Sequence, residues 1–124
     1  MNVVDSSGWL EYFAEGVNAR FFAPAIEKTK LLIVPTLCIL EVFKKFLRER
    51  GENDAMEAVA LMQQGVVVEL SVPIAINAAK IGLDLKLPTA DSVVYATARA
   101  YNAILWTQDS DFKGLKGVEF IEKK

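Results

Sequence analysis

Histidine is absent from this chain, and cysteine occurs once, at Cys38. The first absence removes imidazole-based zinc sites, Ser-His-Asp and Cys-His nucleophiles, and the commonest general base. The second rules out an internal disulfide and fits a reducing cytoplasm, where the chain is expected to reside. No apolar run approaches the length of a membrane span. The opening "MNVVDSS" has neither the charged nor the apolar region of a signal peptide, so no membrane association is expected. Charge of one sign is not in excess: 14 basic and 16 acidic side chains leave a net charge of −2. Bulk charge therefore predicts neither a nucleic-acid binder nor an enzyme of acidic substrates, and any basic surface must be local. A metal site in such a chain has to be built from oxygen ligands, which suits magnesium or manganese.

What is present is a chain of 124 residues, 52% of them apolar. That length favours one domain over residues 1–124, with a core large enough to need no staples. "NVVD" predicts a first strand over residues 2–5. Ser6 or Ser7 can cap a helix carrying Trp9, Leu10 and Phe13, stopped at Gly16, and residues 18–28 read as a second helix. "LLIVP" is a fully apolar strand. "TLCILEVFKKFLRER" is a long amphipathic helix ending at Gly51. A further helix opens at Asn53 or Asp54, "VVVEL" is a strand, and Pro73 opens a helix towards Leu87. "PTADSVVYATARAYN" restarts a helix, "AILWT" is a strand, and "VEFIE" is an alternating edge strand. Strands alternate with helices, and several strands are apolar on both faces. The expected fold is α/β, a three-layer sandwich with a mostly parallel sheet flanked by helices. Ligands of such sheets bind outside the carboxyl ends of the strands, where Asp5 and Asp109 both fall.

Two further acids stand out. Glu41 sits on the long helix, opposite a wide apolar arc of Leu40, Val42, Phe43, Phe46 and Leu47. It shares its stripe with Lys44, Lys45 and Arg48. Asp91 lies in the first turn of a helix that continues into the small, apolar "SVVYATARA". Each acid has an ordinary explanation. Asp5 can cap a strand end, Asp91 can complement a helix dipole, Glu41 can pair with Lys45, and Asp109 and Asp111 can form turns. Taken alone, the structural role suffices for Glu41 and Asp111. Taken together, strand-end and helix-start acids converge on one edge of a parallel sheet. Unit charges about 4 Å apart repel by about 4 kcal/mol at an effective dielectric near 20. Either some of these groups are protonated or a divalent cation lies among them.

The four stretches "VVDSS", "LEVF", "PTADSVVYATA" and "LWTQDSDF", in this order and spacing, resemble a PIN-domain ribonuclease of the VapC type, the toxin of prokaryotic toxin–antitoxin pairs. The resemblance implies a central parallel sheet of about five strands and metal-dependent endonucleolytic cleavage of RNA, with Mg2+ or Mn2+ as cofactor. Carried over residue by residue, it implies Asp5, Glu41, Asp91 and Asp109 as catalytic and metal-binding acids. Ser6 and Thr107 would hold carboxylates by hydrogen bonds, with Asp111 as a substitute or helper for the fourth acid. It further implies a cognate antitoxin and a homodimer. Lys44, Lys45 and Arg48 offer phosphate contacts, with Arg99, Lys113 and Lys116 as weaker candidates. Trp9 and Phe13 are expected in the core or facing a partner rather than stacked on bases, and Trp106 in the strand core. The alternatives are an RNA-processing nuclease of the same fold without an antitoxin, a non-catalytic binding module, and a phosphoacceptor domain. The last would want paired acids after strand one, where a single Asp5 precedes "SSG". A dehalogenase-like phosphatase would want an acid where Ser7 stands.

Overall fold

The computed structural model describes residues 1–124. Five strands, β1 (Asn2–Val4), β2 (Leu32–Pro35), β3 (Val66–Val68), β4 (Ile104–Thr107) and β5 (Val118–Phe120), form one sheet in the order β3-β2-β1-β4-β5. Every neighbouring pair is parallel. Six helices flank it: α1 (Ser6–Phe13), α2 (Ala19–Glu27), α3 (Thr36–Arg50), α4 (Glu52–Met62), α5 (Val72–Leu85) and α6 (Thr89–Ala100). The α/β architecture expected from the alternating pattern is the one observed. No helix is long and apolar enough to cross a membrane.

The chain runs from β1 outward through β2 to β3, then returns across the sheet to β4 on the other side of β1. The strand order therefore reverses between β1 and β4, and at such a switch point the loops leaving the two carboxyl ends part to make a crevice. Val3, Val4, Leu32, Ile33, Val34 and Leu105 are buried, as strands covered on both faces require. Helix α6 is buried continuously from Ser92 to Ala98. Its buried hydroxyls are paired, Ser92 donating to Pro88 O at 2.9 Å, Thr97 to Val93 O at 2.8 Å and Tyr95 to Lys116 O at 2.7 Å.

The element boundaries differ from the sequence reading where a local hydrogen bond competes with regular structure. β1 stops at Val4 because the Asp5 backbone carbonyl accepts from the N–H groups of Gly8 and Trp9 in α1, which the Asp5 carboxylate caps through Gly8 N–H. α4 begins at Glu52, not at a cap on Asn53 or Asp54. Gly51, at φ 95°, separates it from α3 by a single residue, and Asp54 instead pairs with Arg50 at 3.2 Å. α5 starts one residue before Pro73, with the Ser71 hydroxyl accepting from Ile74 N–H. β3 and β5 are shorter than expected, although Ile121 N–H still donates to Thr107 O at 3.1 Å.

The apolar arc assigned to α3 is also corrected. Its buried residues are Cys38 and Val42, with Phe46 packed partly beneath, whereas Leu40 and Leu47 are 57% and 46% exposed. A helical wheel finds the apolar positions but not which of them meet the sheet. Trp9 lies in the core as expected, stacked on Phe13 with centroids 5.6 Å apart. Trp106 is only partly buried, its indole N–H held by Asn2 Oδ1 at 2.8 Å.

Gly8 lets α1 approach the sheet. A Cβ there would lie 2.6 Å from both the Phe22 ring and Val4 Cγ1, and both side chains are fully buried. We expect Gly8→Ala to cost about 1–3 kcal/mol in denaturant unfolding, the usual cost of overpacking; an unchanged midpoint would mean that the helix sits looser than described.

Candidate metal centre

The crevice at the switch point is organised around Asp5 and Thr107, which stand side by side at the carboxyl ends of β1 and β4. Register places Val4 beside Trp106, and Asp5 N–H continues the ladder by donating to Trp106 O at 3.2 Å. Asp5 Oδ1 accepts from the Ser7 hydroxyl at 2.7 Å and from Gly8 N–H at 3.0 Å; its Oδ2 accepts from the Thr107 hydroxyl at 2.7 Å. The Thr107 oxygen in turn accepts from Asp109 N–H at 2.9 Å. One hydroxyl thus joins the first acid to the backbone of another. Asp109 Oδ1 accepts from Asp111 N–H at 2.9 Å, an Asx turn that starts the short 3-10 turn Ser110–Phe112. Phe112, fully buried, pins that turn to the core.

Asp91, in the first turn of α6, faces these two acids. Asp91, Asp109 and Asp111 each offer a carboxylate oxygen, all within 4.8 Å of one another. Asp5 is close enough for its charge to be felt at Asp91. Glu41 joins from α3, where its Oε1 accepts from the Ser6 hydroxyl at 2.6 Å. Below Ser6 lies Cys38, fully buried, its thiol pushed far up by burial and then by the charge of Asp5. It is a neutral packing residue, not a nucleophile.

Crowding changes the acidity of the cluster. Burial pushes Asp5 up to about 6, against the hydrogen bonds from Ser7, Thr107 and Gly8 that favour its anion. Asp91 is pushed up to about 7, first by burial, then by its hydrogen bond with Asp111 and by the charges of Asp109, Asp111 and Asp5. None of Asp5, Glu41, Asp91, Asp109 or Asp111 takes part in a salt bridge. Carboxylates gathered without a basic partner either hold protons or hold a cation. The donor set, all oxygen and partly exposed, fits magnesium or manganese, with Asp91, Asp109 and Asp111 as the residues able to hold it and Asp5 beside them.

Of the basic residues singled out in the sequence, Lys45 and Arg48 both reach Glu49, at 2.8 and 3.8 Å, while Lys44 is exposed and without an acidic partner. Arg99 is occupied structurally: it donates to Ala103 O at 2.6 Å and lies over the Tyr95 ring. Lys113 pairs with Glu122 at 3.3 Å. A groove of about 360 Å³ is lined by Ser7 and Gln108 together with Lys45, Arg50 and Lys123, and none of the clustered acids lines it. Sequence reasoning missed Ser7 as a ligand of Asp5, naming only Ser6. The signal was available, since a residue two positions after a capping acid can reach its carboxylate.

A PIN domain family model matches residues 3–118. The chain belongs to the PIN domain family. No curated protein matches it by sequence, so the remaining comparisons are structural. A toxin–antitoxin complex from Klebsiella pneumoniae contains a chain that superposes with a TM-score of 0.80 at 21% identity, covering 96% of each chain. A VapC toxin of Mycobacterium tuberculosis, described as cleaving the sarcin-ricin loop, gives 0.75 at 17% identity, covering 96% of this chain and 98% of that one. The DNA-bound VapBC of Salmonella typhimurium gives 0.75 at 12%, covering 98% and 96%. At these identities the likeness is one of fold. It places the acidic crevice of this PIN domain on a scaffold shared along nearly its whole length.

The acidity of the crevice carries a pH signature. Asp5 and Asp91 bind protons more tightly when folded than at their ordinary value of 3.8. The stability they contribute is fully present below about pH 4 and is lost as pH rises through 6 to 7. The metal-free chain should therefore melt at higher temperature at pH 5 than at pH 8. Asp91→Asn should narrow that gap, and added Mn2+ should raise the melting temperature at pH 8 in the parent but not in the variant. A parent that gains stability from pH 5 to pH 8 without metal would show that these carboxyls are not crowded.

Proposed function

We propose that this PIN domain is a metal-dependent endoribonuclease and the toxin of a toxin–antitoxin pair. The observation that carries the reading is the trio of carboxylate oxygens from Asp91, Asp109 and Asp111, within 4.8 Å of one another and paired with no basic side chain, at the switch point beside Asp5. Family membership supports the nuclease chemistry. Structural neighbours that are toxin–antitoxin and VapBC complexes support the partner.

Asp91, Asp109 and Asp111 would hold the ion. Magnesium or manganese bound there would polarise a phosphoryl oxygen, acidify an attacking water and offset charge in the transition state. Asp5, immobilised by three donors, fixes the inner wall of the site and completes its negative charge. Glu41 is oriented through Oε1 by Ser6, and its Oε2 takes the proton of the attacking water. This role needs no histidine. Lys44 contacts substrate phosphates directly, and Lys45 and Arg48 do so by exchanging Glu49 for phosphate. The cognate antitoxin would be a separate small protein. Apolar side chains left in solvent on α3 and α5, among them Leu40 at 57%, Val72 at 72% and Leu83 at 83% exposed, give a homodimer a surface to bury.

The test is purified chain on mixed RNA with Mg2+, with chelator, and as variants. Asp5→Asn and Asp91→Asn should lower cleavage by about 100-fold or more, as should chelation. Glu41→Gln should lose a similar factor in rate while its stability changes by no more than about 0.5 kcal/mol. Aspartate variants that cut as well as the parent would place the activity in a contaminant, and a Glu41→Gln chain unfolded at ordinary temperature would make Glu41 structural.

A further inference from the structure

We propose that a buried amide pair, Asn18 with Gln108, is a positioning device for the metal-binding acid Asp109, closed by the carboxyl-terminal segment; this rests on the metal-centre reading above. Gln108 lies between Thr107 and Asp109, the two residues whose hydrogen bond joins Asp5 to the acidic trio. It is 5% exposed, and its side chain reaches the start of α1 and the N-cap of α2. There Gln108 Oε1 accepts from Asn18 Nδ2 at 2.9 Å, and Gln108 Nε2 reaches Ser7 O at 3.4 Å. Ser7 is the residue whose hydroxyl holds Asp5. One amide thus connects the backbones on which both halves of the site are mounted.

Asn18 is used in an unusual way. It occupies the N-cap of α2, where an asparagine ordinarily turns its side chain back onto its own helix, yet it makes no cap hydrogen bond. Both Nδ2 hydrogens are spent on distant groups, Gln108 Oε1 and Glu122 O at 3.0 Å. Its own N–H is held by Glu11 Oε2 at 2.8 Å. The carboxyl-terminal segment closes the arrangement from the other side, because Ile121 N–H donates to Thr107 O. Residues 121 and 122 therefore grip the strand end at Thr107 and, through Asn18, at Gln108. The residue that follows is Asp109. Partners outside the ligand set that orient a metal's carboxylates typically govern affinity by 10–100-fold.

The experiment measures Mn2+ binding to the metal-free full chain at pH 8 by the electron paramagnetic resonance of the free ion, alongside thermal melting. Gln108→Met keeps the volume and removes both hydrogen bonds; Asn18→Ala removes the other half. Ala78→Gly, at a buried position on α5, is a control that loosens the fold on a helix bearing none of the clustered acids. We expect Gln108→Met and Asn18→Ala each to weaken Mn2+ binding by about tenfold or more. The double variant should be no worse than the worse single, because the pair acts as one unit. Ala78→Gly should lower the melting temperature and bind Mn2+ as the parent does. If Asp109→Asn abolishes binding while Gln108→Met and Asn18→Ala stay within twofold of the parent, the pair is structural only and the positioning role is overturned. A parent that binds no Mn2+ overturns the metal-centre reading and this inference with it.

Discussion

Like charges held in one crevice repel, and the fold of this chain has to hold Asp5, Asp91, Asp109 and Asp111 together against that repulsion. Two unit charges about 4 Å apart repel by about 4 kcal/mol at an effective dielectric near 20, a large share of the stability of a small domain, and the oxygens of Asp91, Asp109 and Asp111 lie within 4.8 Å of one another. Burial first, and the neighbouring charges after it, push the pKa values of Asp5 and Asp91 above the usual carboxylate range. The repulsion is met by rigid mounting. Asp5 is gripped by three donors, Thr107 is shared between Asp5 and Asp109, Asp109 closes its own turn, and Asp91 rides on a helix buried from Ser92 to Ala98.

Topology explains why these residues meet at all. Asp5 and Asp109 are more than a hundred positions apart, yet β1 and β4 are direct neighbours because the chain reverses its direction of growth across the sheet between them. Asp91 begins the helix that returns the chain to β4. Thr107 then converts strand adjacency into side-chain adjacency. The hydroxyl is well suited to this: it donates to one carboxylate and accepts from the backbone of the next acid, which neither valine nor serine-sized packing alone would reproduce at a fully buried position.

Much of this was legible in the sequence. The all-apolar runs "LLIVP" and "AILWT" and the alternation with helices gave the parallel sheet, and the acids stood out by following strands or opening a helix. Less legible were features decided by contacts distant in sequence. Leu40 and Leu47 read as core because a helical wheel cannot tell a face turned to the sheet from one left outside. β1 stops short at Asp5 because its backbone carbonyl accepts from the N–H groups of Gly8 and Trp9 in α1, while its own N–H still donates to Trp106 O. Asn18 and Gln108 drew no notice, since neither is apolar, charged or in a periodic position, and their bond spans 90 residues. Asp111 reads as a substitute or a helper for the fourth acid, and its carboxylate, more exposed than that of Asp91, stands with Asp91 and Asp109 in one trio. A turn of two residues brings it back towards the same point, and spacing alone does not show that.

The central claim is that the acids of this PIN domain enclose a divalent cation. Its most direct test is an anomalous difference map from crystals of the metal-free chain soaked in Mn2+ at pH 8. The account predicts density within coordination distance of Asp91, Asp109 and Asp111, on the side facing Asp5. A well-ordered crevice without such density, or manganese bound only elsewhere on the surface, would contradict it.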